Sequence, residues 1–236
     1  MSIRNAGQSM RTALITTAHG RAQHLHRQLD GISRSVRLPE MHVIVAIDDP
    51  AVPDVVAASG NTAHVVHCES NPGALPVASA RNLGALAALN EGAELLAFLD
   101  VDCIPGRNML GRYQNAVVHR EHRDALLCGP VTYLPPPRGS EGYPMALEPM
   151  INPHPARPAP PDGDVVASAD YELFWSLSFA LTAATWRRIG GFMTATADMA
   201  PRTPTSRRPR APRAFRCDGS GAHMLFISSI PCRIPR

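Results

Sequence analysis

The sequence predicts an α/β fold, a single mostly parallel sheet with helices on both faces. Three observations carry this. Short apolar runs alternate with helical patterns over residues 11–192. The runs are nearly continuous rather than alternating apolar and polar, as expected of strands covered on both faces. Acidic residues fall at the ends of these runs, the edge where open α/β sheets bind ligands. A chain of 236 residues with a 44% hydrophobic share suits one domain with a tail and a core of ordinary size.

Each element has its own local signal. "TALITTA" (12–18) is short, apolar and partly β-branched, hence a strand. "GRAQHLHRQLDGISRS" places Leu25, Leu29 and Ile32 on one helical face. "HVIVAIDDP" (42–50) is a buried strand ending in Asp48 and Asp49 and stopped by Pro50. "AHVVHC" (63–68) is a third strand. "PVASARNLGALAALNEG" (76–92) starts with Pro and ends with Gly, a capped helix. "AELLAFLDVD" (93–102) is a strand ending in Asp100 and Asp102. "GRNMLGRYQNAVVHREH" is helical, and "ALLCGPVTYL" is a strand. Residues 135–164 are rich in Pro and Gly, a long loop, insertion or lid over the site. Order returns at 170–192, where "SLSFALT" alternates as a strand, "AATWRRIG" makes one or two helical turns and Gly190–Gly191 stops them. There is no internal repeat.

Charge is distributed unevenly. The chain carries +3 overall and contains no Lys. Residues 193–236 hold eight Arg against Asp198 and Asp218, so the body before them is net acidic. A basic tail can bind nucleic acid or anionic lipid, but abundant Ala, Pro and Arg also follow from a GC-rich genome. The five Cys (68, 103, 128, 217, 232) are scattered with no metal spacing, which suits reduced thiols in a cytosolic protein. The N-terminus shows no apolar signal segment, and "LFWSLSFALTAATW" is too short and too polar to span a bilayer. The expected location is cytoplasmic, or peripheral at a membrane.

"FLDVDCIP" is the sharpest chemical feature. On an extended chain a D-x-D puts both carboxylates on one side. Together they can share a hard divalent cation, which in turn bridges a diphosphate leaving group. Acidic residues also commonly end strands and open turns, so context matters. "AIDDP" brings two more acids to the same edge. Arg81 and Asn82 lie in the helix that leads into the D-x-D strand. Arg81 is either a phosphate partner or a surface Arg on an amphipathic helix. Trp175 and Trp186 sit in apolar surroundings and pack in the core, with sugar stacking a second role for Trp175.

The ordered set "ALITTAHGR", "VIVAIDD", "ASARNLGA", "AFLDVDCIP" and "WSLSFALTAATWRRIGGF" resembles family-2 glycosyltransferases of the GT-A (Rossmann-like) fold over roughly residues 11–192. The resemblance implies a UDP- or GDP-linked sugar donor, an inverting transfer to an acceptor hydroxyl on a glycan, lipid or small molecule, and Mn2+ or Mg2+. It puts Asp48 or Asp49 at the base or ribose, Thr17 and Arg21 beside the same pocket, and Arg81 near the diphosphate. Asp100 would face the ribose and phosphates and, with Asp102, ligate the metal. Trp175 would lie on the acceptor side. His19 stands where many relatives show another pattern, and is not assigned to the nucleotide.

The same resemblance implies a general base in an "ED" pair soon after "GGF", commonly within "GYGxEDxDF". This chain has "MTATADMAPRTPTS" there, and no Glu follows Glu172. With one G restored after the Phe192 codon, permitted codons for that stretch read "DDGYGGYGAEDTDF". Continuing in that frame permits "RAAGVPLRWVGGAH" and "QQHPVSDP". The expectation is a truncated domain whose residues 193–236 are a disordered, out-of-frame basic tail, leaving an unpaired sheet edge and little or no transfer activity.

Two other functions are compatible with parts of the pattern. A haloacid-dehalogenase-type phosphohydrolase also ends a strand in D-x-D, but on the first strand of its domain. A non-catalytic nucleic-acid binder would act through the Arg tail, with strong salt dependence. The tail lacks interleaved aromatics, so no specific nucleic-acid partner is expected.

Overall fold

β1 (Thr12–Ala18), α1 (Ala22–Ser33), β2 (Met41–Ile47), α2 (Val52–Ala58), β3 (His64–Cys68), α3 (Val77–Asn90) and β4 (Leu95–Leu99) form the first half of the chain. They come from a computed structural model that describes residues 10–70, 75–136, 143–144, 146–194, 224–227 and 232–233. β5 (Cys103–Ile104), α4 (Met109–Val118), β6 (Leu126–Cys128), β7 (Thr132–Tyr133), β8 (Val165–Ser168), β9 (Ser178–Thr182) and α5 (Ala183–Ile189) come next. β10 (Met224–Ile227) and β11 (Cys232–Arg233) complete the described elements.

The main sheet has eight strands in the order β3-β2-β1-β4-β9-β6-β10-β8. From β3 to β4 every neighbour is parallel. β9 then runs antiparallel to both β4 and β6, β10 is parallel to β6, and β8 is antiparallel to β10. A small second sheet sets β11 between β5 and β7.

Both faces of the main sheet are buried, as the unbroken apolar strands require. On one face Leu14, Ile44, Leu95 and Leu99 pack against Leu25, Leu29 and Ile32 of α1 and against Leu110 and Tyr113 of α4. On the other, Ile15, Val45, Leu96 and Phe98 meet α3, Trp186 of α5 and Phe192. Trp186 is a core residue, stacked on Phe98 at 5.3 Å, while Phe98 stacks on Phe179 at 4.6 Å. Such ring pairs add about 1 kcal/mol each beyond their burial.

α3 packs on the sheet at Gly84, where there is no room for a side chain. A Cβ at Gly84 would stand 2.6 Å from Ile15 Cγ2 and 2.9 Å from Val45 Cγ2. Its neighbours Ala80, Ala85 and Ala88 are also buried. The close approach draws Arg81 against the carboxyl edge of the strands, and its residue is 9% exposed. The surface-Arg reading of Arg81 is therefore excluded.

Several elements differ from the sequence expectation. "ALLCGPVTYL" is two strands, since Pro130 has no N–H to give a ladder and Gly129 N–H turns instead to Ser178 O at 3.3 Å. The expected helix after residue 106 is α4 plus a separate 3-10 turn at Arg120–His122. α2 was not anticipated: it is seven residues long and carries Pro in its first turn. Within the tail expected to lack order, Met224–Ile227 occupies a place between β6 and β8, with Met224 and Phe226 buried. The open edge expected from truncation is filled there. Residues 195–223, 228–231 and 234–236 lie outside the described residues.

Candidate functional site

The parallel strands β1, β2 and β4 all end on one edge, and their trailing turns supply the polar groups. After β1, His19 Nδ1 lies 2.7 Å from Ile47 O, and Gly20 N–H donates to Asp49 Oδ2 at 2.8 Å. Asp49 Oδ1 accepts from Ala51 N–H at 3.1 Å, at the start of α2. This carboxylate thus ties the turn after β1 to the turn after β2. His19, which the sequence left without a nucleotide role, belongs to the same tie.

Asp48 is placed differently. Its backbone is left-handed, with φ 43°, a strained position for a residue with a side chain. Its carboxylate accepts from the hydroxyl and the amide of Ser70, beyond β3. Those bonds, the hydroxyl's above all, hold its carboxyl below the usual carboxylate range, and the nearby His19 adds to the effect. Thr17 and Arg21 stand half-buried at the end of β1 and the start of α1. Sequence reasoning named both, and the fold puts both on this edge.

The D-x-D turn is the most tightly held part of the edge. Arg81 Nη2 is 2.6 Å from Asp100 Oδ1, with Arg81 nearly buried. The same guanidinium donates to Ser176 Oγ at 3.2 Å and to Ser176 O at 3.3 Å. Ser176 is the second residue forced into a left-handed backbone, at φ 53°. Asp102 is 6% exposed, beside buried Cys103. The backbone of the turn is gripped from below by Gln28 of α1. Gln28 Nε2 donates to Asp100 O at 2.7 Å and Cys103 O at 3.0 Å, and its Oε1 accepts from Thr16 at 2.9 Å.

Gln28 was missed from the sequence. It lies among Leu25, Leu29 and Ile32 on the buried face of α1, and a polar residue on an apolar helical face was the available signal. Asn82 was noticed but given no role. Its Nδ2 donates to Phe192 O and its Oδ1 accepts from Phe192 N–H, both at 2.9 Å. The Arg81 guanidinium also rests 5.1 Å from the Phe192 ring centre. Arg81 and Asn82 together therefore dock "GGF" against the D-x-D edge.

Not every expected residue converges. Asp48 and Asp49 follow β2, whereas Asp100 and Asp102 follow β4, and β1 runs between those strands. Two interstrand spacings, roughly 10 Å, separate the pairs. They flank one mouth instead of forming one carboxylate cluster. Trp175 is half-buried against a separate set, His154 at 4.9 Å and the Arg157 guanidinium at 5.1 Å. Among the described residues no group of three or more His, Cys, Asp or Glu side chains could hold a metal ion. The D-x-D pair fits a cation of the kind that takes one or two carboxylates and completes its shell with phosphate oxygens and water.

This architecture has solved counterparts. The crystal structure of S. aureus TarS 1-349 matches with a TM-score of 0.51 at 13% identity, over 75% of this chain and 48% of that one. The same protein in complex with UDP-GlcNAc matches equally, at 0.51 and 13%, over 75% and 47%. The mannosyltransferase PcManGT from Pyrobaculum calidifontis, in complex with GDP-Man and Mn2+, gives 0.47 at 18% identity over 79% and 48%. This chain spans about half the length of each of these structures. No protein-family model matches the sequence, and no curated protein does. The chain shares with these structures a GT-A-like mixed α/β fold. Its D-x-D strand is fourth along the chain, unlike the first-strand placement of a haloacid-dehalogenase site. Among the described residues no helix is long and apolar enough to cross a membrane.

Proposed function

We propose that this chain is a nucleotide-sugar glycosyltransferase domain that binds a UDP- or GDP-linked donor with Mn2+ or Mg2+. The observation that carries the reading is the Arg81–Asp100–Ser176 knot beside Asp102, at the carboxyl edge of a GT-A-like sheet. Asp48 or Asp49 contacts the base or ribose, with Thr17 and Arg21 flanking the same pocket. Asp100 and Asp102 hold the metal. A cation held there would supply the positive charge that offsets a departing diphosphate. Arg81 supplies a second, fixed positive charge near those phosphates, and its three bonds leave it little freedom to swing away. Trp175 marks the acceptor side, and transfer to a glycan, lipid or small-molecule hydroxyl inverts the anomeric centre.

In this reading the chain binds donor better than it transfers sugar. Only Asp198 and Asp218 follow Phe192 as acids, and both lie outside the described residues. Loss of a general base lowers rates by about 10²–10⁴. A frameshift after Phe192 accounts for the missing "ED" pair. The basic tail is then a product of the reading frame, not a nucleic-acid site.

Calorimetry with UDP and GDP, with and without Mn2+, tests the donor reading. Metal-dependent binding should appear and fall by at least about 100-fold in Asp102→Ala, the loss expected when one of two metal-held carboxylates is removed. Absence of nucleotide binding to the folded wild-type chain would sink the proposal. Robust sugar transfer by the purified chain, abolished in Asp102→Ala, would overturn the claim of crippled activity. Resequencing the codons around Phe192 tests the frameshift directly.

A further inference from the structure

Arg157 is a buried cation with no carboxylate partner among the described residues. It is 4% exposed, and its Nε and Nη1 are buried with no hydrogen-bond partner. Its guanidinium lies between two rings, 5.1 Å from the centre of Trp175 and 5.1 Å from that of Phe226. The titratable groups that act on it are the thiols of Cys128 and Cys103 and the phenols of Tyr113 and Tyr133. No carboxylate is among them. Burial lowers its pKa, yet a guanidinium remains charged at any physiological pH.

A buried charge without an ion-pair partner is disfavoured by desolvation, which two aromatic faces offset without supplying the hydrogen bonds that its N–H groups lack. The arrangement is nevertheless held firmly. His154 N–H donates to Val131 O at 2.9 Å, Asn152 N–H donates to Thr132 Oγ1 at 3.1 Å, and Pro153 bridges to Thr132. Arg157 N–H then donates to His154 O at 3.1 Å. These bonds fix the backbone of Arg157 where Nε and Nη1 of its guanidinium have no hydrogen-bond partner.

The position is informative. Trp175 precedes Ser176, which holds Arg81, and Cys103 follows Asp102. Arg157 therefore borders the acceptor side of the D-x-D edge, while the donor phosphates fall to Arg81 and the metal carboxylates. We propose that Arg157 anchors an oxyanion site for the acceptor, which carries a phosphate or carboxylate group near the hydroxyl that receives the sugar. The proposal rests on the glycosyltransferase reading for the word acceptor, but not for the anion site. Because the guanidinium is covered, an anion that reached it would have to displace the hydrogen-bonded segment of residues 152–157.

The test uses the full chain and inorganic phosphate, with acetate as the carboxylate probe and chloride at matched ionic strength as control. Thermal melts should show saturable stabilisation by phosphate or acetate, and which of the two binds tighter identifies the acceptor's group. The response should persist at saturating UDP and Mn2+, vanish in Arg157→Gln and weaken about tenfold in Arg157→Lys, which loses the planar fork. Equal stabilisation of Arg157→Gln, no stabilisation of the wild type, or competition by UDP would each overturn the proposal, the last by giving the guanidinium to the donor. Should the variants not fold, hydrogen exchange on the wild type decides. Exchange over residues 150–157 should change with phosphate and not with chloride, and an unchanged pattern counts against the site. Nucleotide binding without an anion response refutes this inference alone. An anion response without nucleotide binding refutes the donor reading alone.

Discussion

The two sides of the sheet are built by different rules. From β3 to β4 the strands are parallel and five to seven residues long. Each delivers its last residues to one edge, and the next helix returns the chain to the start. Beyond β4 the strands of this sheet run from three to five residues, and β9, β6, β10 and β8 reverse direction from one neighbour to the next except at β6–β10. They are gathered from segments as distant as Leu126 and Met224. One side is a repeated local unit and can stand on its own contacts. The other is a non-local assembly that depends on a strand from the far end of the chain.

The sharpest break of that contrast is Phe226→Ala. Phe226 is fully buried in β10, so truncation should cost about 3–5 kcal/mol by denaturant unfolding. If the parallel side is self-sufficient, UDP affinity measured below the transition should barely change. A proportional loss of affinity would show that the two sides are one energetic unit.

A second difference is titratable. His42, on β2, has both ring nitrogens buried without a partner in normal hydrogen-bond geometry. Burial brings its pKa down to about 4, opposed only in part by Asn61. The unfolded imidazole takes its proton near the ordinary value of 6.5. Stability is therefore full above that value and declines as pH falls towards 4, by about 3 kcal/mol in all. Denaturant melts across that window should show the decline, and His42→Leu should flatten it.

Gln28→Ala is smaller and more local. It strips partners from Thr16 and from the carbonyls of Asp100 and Cys103. A loss of about 2 kcal/mol is expected, with metal-dependent nucleotide affinity falling beside it as the D-x-D turn loosens. Unchanged affinity would remove Gln28 from the positioning role. Asn82→Ala should cost least, about 1 kcal/mol. Its effect should be confined to exchange of the Phe192 amide and the docking of "GGF".

The contrast also explains what the sequence revealed. The parallel side was legible because each function sits at the end of its own apolar run, so "AIDD" and "FLDVD" announce strand and site together. Arg81 was legible as to place but not as to fate. Gly84 decides its burial through contacts with Ile15 and Val45, which no local pattern encodes. Gln28 and Asn82 act on backbone atoms more than seventy residues away, and such bonds leave no trace in spacing. Across the sheet, Trp175 was found by residue type alone. Arg157 was not found, because a guanidinium in a Pro-rich loop reads as solvated surface until Trp175 and Phe226 close on it. The ladder position of Met224–Ile227 was hidden by its Arg- and Pro-rich approach.

The clasp between Asn82 and Phe192 has one more consequence. It fixes a mooring point, and the chain leaves it beside Arg81 and Asp100. Arg81 and Asn82 are consecutive on α3, so the clasp on Phe192 and the ion pair with Asp100 ride on one helix. A shift of the "GGF" turn is therefore felt directly at the D-x-D edge, and neither can be repositioned without the other.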